Sequence, residues 1–175
     1  MIFGTQKANT AAISINGKVI PVHKIIPEGC IGYLPQEPFL PNTMKVRDII
    51  PLYYSGDEQD KLFYSPRIDK IANTRVGKLS MGELRYFELL LIGHLPHQFL
   101  MLDEPFSMIE PLYKDLIKDF LKKLKTQKGI IITDHYYDDV LSVTNRKLLL
   151  KDGQLININD RNDLIAHGYL PSEKL

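Results

Sequence analysis

Two carboxylates follow an apolar run near the middle of the chain. Phe99 to Leu102 are consecutive apolar residues, and Asp103 and Glu104 come directly after them. Such a run is typical of a strand buried on both faces of a parallel sheet, whose carboxyl end opens into the ligand crevice. There Asp103 can hold a Mg²⁺ ion, and Glu104 can polarise a water for attack on a phosphoryl group. A polar strand end before a Pro turn is the simpler alternative.

A second candidate precedes a Leu-rich stretch, in the sequence Leu79-Ser-Met-Gly-Glu83. Ser80 and Glu83 have the spacing of a capping box, in which each side chain satisfies a free backbone N–H at a helix start. A helix N-terminus with Ser80 and Gly82 also presents N–H groups and a positive dipole to an anion. The segment therefore predicts a helix start and a candidate phosphate contact.

Two further polar side chains follow apolar strands. His135 comes after Ile130–Ile132 and can donate a hydrogen bond to a phosphate oxygen, although a lone histidine is more often structural. Gln36 comes after the strand Ile31–Leu34 and can contact a metal ion or its water. By itself a glutamine in a loop indicates nothing.

The elements between these residues indicate an α/β protein. Strand–helix–strand alternation with apolar strands predicts a mostly parallel sheet covered by helices. Asn16-Gly17 and Asp152-Gly153 predict antiparallel hairpins near the two ends of the chain. Helices are predicted at 46–54, 67–72, 82–94, from 111 to a stop at Gly129, at 136–143 and at 160–167.

Composition excludes several classes of protein. With 22 Lys and Arg against 21 Asp and Glu the net charge is +1, so we expect no nucleic acid partner. The single cysteine, Cys30, excludes an internal disulfide framework and a Cys-rich zinc site. The longest apolar run, Leu89 to Ile92, is too short for a membrane span, and the start of the chain lacks a signal-peptide pattern. We therefore expect a cytoplasmic protein with no transmembrane segment of its own.

Taken in chain order, these segments resemble the motifs of ATP-binding cassette (ABC) ATPases. Gln36 resembles the Q-loop glutamine, and Leu79–Glu83 resembles the signature. Asp103 resembles the Walker B carboxylate, and Glu104 resembles the catalytic glutamate. Ser107–Glu110 resembles the D-loop, and His135 resembles the switch histidine. The resemblance extends to about Tyr169. Its Thr-Asp-His and Asp-Glu-Pro-Phe sequences are most similar to ATPases of lipopolysaccharide-export and branched-chain amino-acid transporters.

The resemblance implies a P-loop-NTPase-like fold with a small helical lobe. It implies one domain, with 1–36 and 95–175 in the core lobe and 37–94, including the signature, in the helical lobe. ATP and Mg²⁺ are the implied cofactors, and a second ABC ATPase subunit is the implied partner in a homo- or heterodimer. That dimer would drive a membrane permease, which would place the subunit on the cytoplasmic face of the membrane.

The resemblance also implies a role for each candidate residue. Glu104 would act as general base, and His135 would sense the γ-phosphate. The implied nucleotide-binding residues are Gln36, Ser80, Gly82 and Glu83. The implied metal ligands are Asp103 and Gln36. The implied dimer-seam residues are Ser107 and Glu110. Ser80 and Gly82 would face the ATP held by the other subunit.

The chain departs from the family pattern at the phosphate loop. No Gly-x-x-x-x-Gly-Lys-Ser/Thr sequence occurs in the 175 residues. In the family this loop precedes the segment that resembles Ile2–Lys7, so we expect the N-terminal part of the domain to be missing. We predict that the intact protein hydrolyses ATP and that the 175-residue chain on its own is inactive. Met81 and Glu83 replace a signature glycine and glutamine, and Glu110 replaces the D-loop aspartate.

Two alternatives stay open from the sequence. The first is a soluble ABC ATPase of DNA repair or translation, although such proteins usually carry coiled coils, zinc insertions or a second cassette. The second is a non-enzymatic remnant of a cassette that binds a partner. An in-frame phosphate loop encoded upstream of Met1 would separate the enzyme from the remnant.

Overall fold

The structure is a computed structural model that describes residues 9–171. It divides into two compact units, one ending at His135 and one beginning at Tyr136. The first unit contains β1 (Ser14–Ile15), β2 (Lys18–Val19), β3 (Ile31–Leu34), α1 (Val46–Tyr53), α2 (Asp57–Phe63), α3 (Ile68–Ile71), α4 (Met81–His94), β4 (Phe99–Asp103), α5 (Pro111–Leu124) and β5 (Gly129–Thr133). The second contains α6 (Tyr137–Val143), β6 (Lys147–Lys151), β7 (Gln154–Ile158) and α7 (Arg161–Ala166). The segment Ile2–Lys7, used in the resemblance, lies outside the described residues.

The predicted α/β fold is confirmed. Strands β3, β4 and β5 form a parallel sheet in that order, with Leu34 opposite Leu102 and Asp103 opposite Thr133. Because the strands are parallel, their carboxyl ends meet at one edge of the sheet. The two predicted hairpins are also present, as the antiparallel pairs β1–β2 and β6–β7.

The hairpin turns follow from residues that tolerate a left-handed backbone. Asn16 and Gly17 have φ values of 51° and 78°, and Asp152 and Gly153 have values of 50° and 76°. Two consecutive positive φ values match the right-handed twist of the strands that the turn joins.

The prediction that β4 is buried on both faces is wrong, because only one of its faces is fully buried. Leu100 and Leu102, which share one face of β4, are 0% and 1% exposed, whereas Phe99 on the other face is 36% exposed and Ile131 of β5 is 51% exposed. Within residues 9–171, β5 pairs only with β4 and is an edge strand. The apolar run of β5 indicated a strand, but it gave no information on how many of its faces are covered.

Helix α4 is the centre of the first unit. It packs against β3 and α5, and it is buried at Gly82 and from Leu84 to Gly93, which fits a helix that is enclosed on all sides. The predicted helix stop at Gly129 is wrong, because α5 ends at Leu124 and Gly129 begins β5. A Cβ at Gly129 would lie 2.5 Å from the ring of Phe99, so ring packing is what requires glycine there.

The segment between β3 and α4 is helical, as predicted. Helices α1 and α3 lie within the expected ranges, but α2 was not expected. Only Leu62 of α2 is buried, so its sequence has no apolar periodicity that would reveal a helix. The division of the chain into lobes 1–36 with 95–175, and 37–94, stays a prediction.

The second unit has a small core of its own. Leu149 of β6, Ile158 of β7 and Leu164 of α7 are buried together. Asp160 caps α7 by accepting hydrogen bonds from the backbone N–H groups of Asn162 and Asp163, at 2.8 and 3.2 Å. Hairpin and helix therefore stabilise each other within this unit.

Candidate functional site

The sheet edge brings together the polar residues that follow β3, β4 and β5. We call Gln36, Asp103, Glu104, Ser107 and His135 the strand-end cluster. Its centre is the Glu104 carboxylate. Oε2 accepts hydrogen bonds from Gln36 Nε2 at 3.0 Å and from Ser107 Oγ at 2.8 Å. His135 Nε2 lies 3.3 Å from Oε1. Three of the predicted site residues thus converge on the fourth.

The backbone of Glu104 is held in an unusual conformation. Its φ of 49° lies in the left-handed region, which costs an L-residue roughly 1–2 kcal/mol. Its N–H donates to the carbonyl of Thr133 at 2.7 Å, which anchors the turn to β5. The side chain of Glu104 is 18% exposed, whereas that of His135 is 79% exposed. The carboxylate is therefore fixed, while the imidazole is accessible to solvent.

Asp103 is oriented by two hydroxyl groups. Thr133 Oγ1 donates to Oδ1 at 2.7 Å, and the Tyr33 hydroxyl donates to Oδ2 at 3.1 Å. Burial, and then the hydrogen bond to Asp103, raises the pKa of Tyr33, so its hydroxyl keeps the proton that it donates. Asp134 accepts from the backbone N–H of Phe106 at 2.8 Å, which holds the loop after Glu104.

The oxygen atoms of this cluster are suitable ligands for a magnesium ion. Asp103 and Glu104 supply carboxylate oxygens, and Gln36 donates through Nε2, which leaves its amide oxygen as a further hard ligand. Among residues 9–171 no group of three or more His, Cys, Asp or Glu is arranged to hold a metal by itself. The set therefore suits Mg²⁺, which takes one or two carboxylates and completes its shell with water and phosphate oxygens.

A second group lies at the start of α4, and we call Ser80, Gly82, Glu83, Glu110 and Tyr113 the helix-start cluster. The predicted capping box is present. Glu83 N donates to Ser80 Oγ at 3.2 Å, and Ser80 N donates to Glu83 Oε2 at 2.8 Å. The hydroxyl of Tyr113 donates to Glu83 Oε1 at 3.3 Å. Glu110 packs against Gly82 so closely that a Cβ there would lie 2.2 Å from Glu110 Oε2.

The structure divides the predicted site residues between these clusters. Ser107 and Glu110 were predicted to share a dimer seam, yet Ser107 bonds to Glu104 and Glu110 lies beside Gly82. The roles of all these residues stay predictions.

The sequence did not single out several residues that hold the two clusters. These are Tyr33, Arg85, Glu88, Tyr113 and Thr133. For Arg85 and Glu88 a signal existed, because they are two opposite charges three positions apart in the otherwise uncharged stretch 84–93, which indicates a buried pair.

Comparison with known proteins identifies the family. A family model described as ABC transporter matches residues 1–107, more than half of the chain. The chain belongs to the ABC transporter family. The match includes Gln36, the segment Ser80–Glu83, Asp103 and Glu104. No helix within residues 9–171 is both long enough and apolar enough to cross a bilayer.

Individual relatives and a solved structure agree with this family. The lipopolysaccharide export system ATP-binding protein LptB of Acidithiobacillus ferridurans is 28% identical over 83% of this chain and 64% of its own length. LptB of Haemophilus influenzae is 29% identical over 89% of this chain and 70% of its own. The chain thus spans about two thirds of these ABC relatives. A structure of an ATP-binding subunit of an ABC transporter has a TM-score of 0.75 at 18% identity, covering 96% of this chain and 74% of that one. This likeness shows the fold.

Proposed function

We propose that the chain is the γ-phosphate-facing part of an ATP-hydrolysing subunit of an ABC transporter. The observation that carries the proposal is the convergence of Gln36, Ser107 and His135 on the Glu104 carboxylate. A carboxylate that is fixed, partly buried and placed at the carboxyl edge of a parallel sheet suits a general base. In this role Glu104 takes a proton from the water that attacks the γ-phosphate.

The other residues of the strand-end cluster orient the reacting groups. Asp103, held by Tyr33 and Thr133, and Gln36 would hold Mg²⁺. When bound, Mg²⁺ neutralises charge on the phosphate oxygens. His135 is exposed next to Glu104 and donates a hydrogen bond to a γ-phosphate oxygen.

The helix-start cluster serves the ATP of a second subunit in a homo- or heterodimer. Ser80 and Gly82 contact its γ-phosphate, and Glu83 keeps the helix start in shape through the capping box. Glu110 and Ser107 lie on the seam between the subunits. The contact between Glu110 and Gly82 supports a seam that runs past the start of α4.

The membrane partner is a permease, which keeps the subunit at the cytoplasmic face of the membrane. The helical segment after Gln36 supports this, because Leu52, Tyr53 and Tyr64 are 67%, 47% and 85% exposed. A contiguous exposed apolar patch marks an interaction surface, and we propose that these side chains contribute to one. The names of the LptB relatives favour export over import as the direction of transport.

The 175-residue chain alone is expected to bind MgATP weakly and to hydrolyse it negligibly. It contains no Gly-x-x-x-x-Gly-Lys-Ser/Thr sequence, whose backbone N–H groups and lysine bind the phosphates. Calorimetry and phosphate release would compare this chain with a fusion that carries such a strand–loop–helix segment ahead of Met1. The matched control is the same fusion with the loop lysine changed to alanine. Turnover only in the unaltered fusion supports the proposal. A fusion that binds MgATP without turnover would favour the non-enzymatic remnant.

A further inference from the structure

Two charged side chains are buried inside the apolar helix α4. Arg85 is 4% exposed and Glu88 is 0% exposed, and they lie three positions apart. Burying a charge costs free energy unless it is paired and its hydrogen bonds are satisfied. The groups that satisfy this pair therefore show which parts of the molecule it joins.

Arg85 binds the backbone of two strand ends at once. Its Nη1 donates to the carbonyl of Pro35, the residue before Gln36. Its Nη2 donates to the carbonyl of Asp103 and, at 3.3 Å, to that of Glu104. A guanidinium carries its donors in a rigid planar fork, so it can hold both strand ends at a set separation.

Glu88 holds the other end of the loop that contains Gln36. Its Oε1 accepts a hydrogen bond from the N–H of Phe39 at 2.9 Å, and its Oε2 lies 3.7 Å from Arg85 Nη1. Burial raises the pKa of Glu88, while the N–H of Phe39 and the charge of Arg85 act in the opposite direction. The loop from Pro35 to Phe39 is thus tied to α4 at both of its ends.

We propose that Arg85 is a positioning residue for Gln36 and Glu104, with Glu88 as its buried counter-charge. The left-handed backbone of Glu104 needs anchors outside the turn, and the described contacts supply Thr133 on one side and Arg85 on the other. The orientation of the Glu104 carboxylate therefore depends on Arg85 in α4, the same helix whose start carries Ser80 and Gly82. The catalytic meaning of this arrangement rests on the proposed function, whereas the positioning itself requires no nucleotide.

Amide hydrogen exchange in the 175-residue chain, followed by NMR, tests the positioning. The double variant Arg85→Met/Glu88→Leu replaces both charges by apolar groups of similar size, an exchange that buried pairs often tolerate. In it we expect the amides of Glu104 and Ser107 to exchange roughly tenfold faster or more, while amides in the middle of α5 stay unchanged. The matched control is Arg47→Met, which removes an exposed arginine bonded to Asn73 and leaves all these amides unaffected.

Equal acceleration in α5 and at Glu104 would show a merely structural role and overturn the proposal, as would unchanged exchange at Glu104. If the double variant does not fold, Arg85→Lys supports the same comparison, because it keeps the charge beside Glu88 and loses the planar fork. In the fusion that carries a phosphate loop, Arg85→Lys should lower kcat about tenfold with little change in KM for MgATP. A wild-type fusion without turnover would contradict the proposed function and leave the exchange result standing.

Discussion

The strand-end cluster and the helix-start cluster are held together by different kinds of contact. The hydrogen bond between Gln36 and Glu104 joins residues 68 positions apart, whereas the capping box joins Ser80 and Glu83, only three apart. The first cluster therefore exists only when the whole first unit is folded. The capping box of the second needs only the first turn of α4, and Tyr113 of α5 adds one hydrogen bond to Glu83. Substitutions in the strand-end cluster should accordingly affect turnover, whereas those in the helix-start cluster should affect helix stability as well as the proposed phosphate contact.

The largest expected effect is at the centre of the strand-end cluster. Glu104→Gln, in the fusion that carries a phosphate loop, should lower turnover by about 10²- to 10⁴-fold and leave ATP binding intact. The amide keeps the shape of the carboxylate and loses its basicity. Phosphate release gives the rate, and size-exclusion chromatography should show dimers that accumulate with ATP. Unchanged turnover would remove Glu104 from the role of general base.

In the helix-start cluster, two substitutions of Ser80 separate capping from phosphate contact. Ser80→Ala should cost about 0.5–2 kcal/mol of stability. Ser80→Asp should keep stability, because aspartate caps a helix as well as serine and suits its positive end. If Ser80 also faces the γ-phosphate of another subunit, the Asp variant should be stable and inactive. Thermal melts beside ATPase rates of the fusion measure both, and a fully active Asp variant would make Ser80 a cap only.

Gly82→Ala tests how tightly the helix-start cluster is packed. The new Cβ would lie 2.9 Å from Tyr113 Cδ2 and 3.1 Å from Ile109 Cγ2, so we expect a loss of about 1–3 kcal/mol in urea unfolding. The Glu110 carboxylate is also close, but it ends a flexible side chain that can move away. The loss should therefore persist in a Glu110→Ala background. Complete recovery there would show that Glu110, and not the α5 packing, sets the space at Gly82.

The smallest expected effect is the pH dependence that Tyr33 gives to the strand-end cluster. The folded-state pKa of Tyr33 is raised above its ordinary value of about 10. Its contribution to stability is therefore complete below about pH 10 and is lost as pH rises through the folded-state pKa. The free energies of unfolding of the wild type and of Tyr33→Phe, measured with urea, should differ at pH 8 and converge in the alkaline range. A difference that grows with pH would contradict this assignment.

Sequence patterns predicted the features that depend on local contacts and missed those that depend on distant ones. The capping box and the two hairpin turns depend on residues next to one another, so their patterns were sufficient. The apolar runs of β4 and β5 also predicted which polar residues lie at the carboxyl edge of the sheet. In each case a local preference and the final fold agree.

The missed features depend on partners that are distant in sequence. Tyr33 matters because β3 lies beside β4, and Gly129 matters because the ring of Phe99 packs against it. Helix α2 is largely polar and is held by its neighbours, with Leu62 as its one buried residue. A pattern within one segment carries no information about such neighbours.

The left-handed backbone at Glu104 sets stability against the general-base role that we propose for this residue. Glycine adopts this conformation without the strain that glutamate bears there. The side-chain bonds with Gln36 and Ser107 offset part of that strain, yet selection for a stable fold alone would favour a smaller residue at this position. Under the proposed function, the general-base role of Glu104 explains why a glutamate occupies position 104 despite this strain. Descendants of this chain released from that role would be expected to drift there first, toward Gly, Asn or Asp.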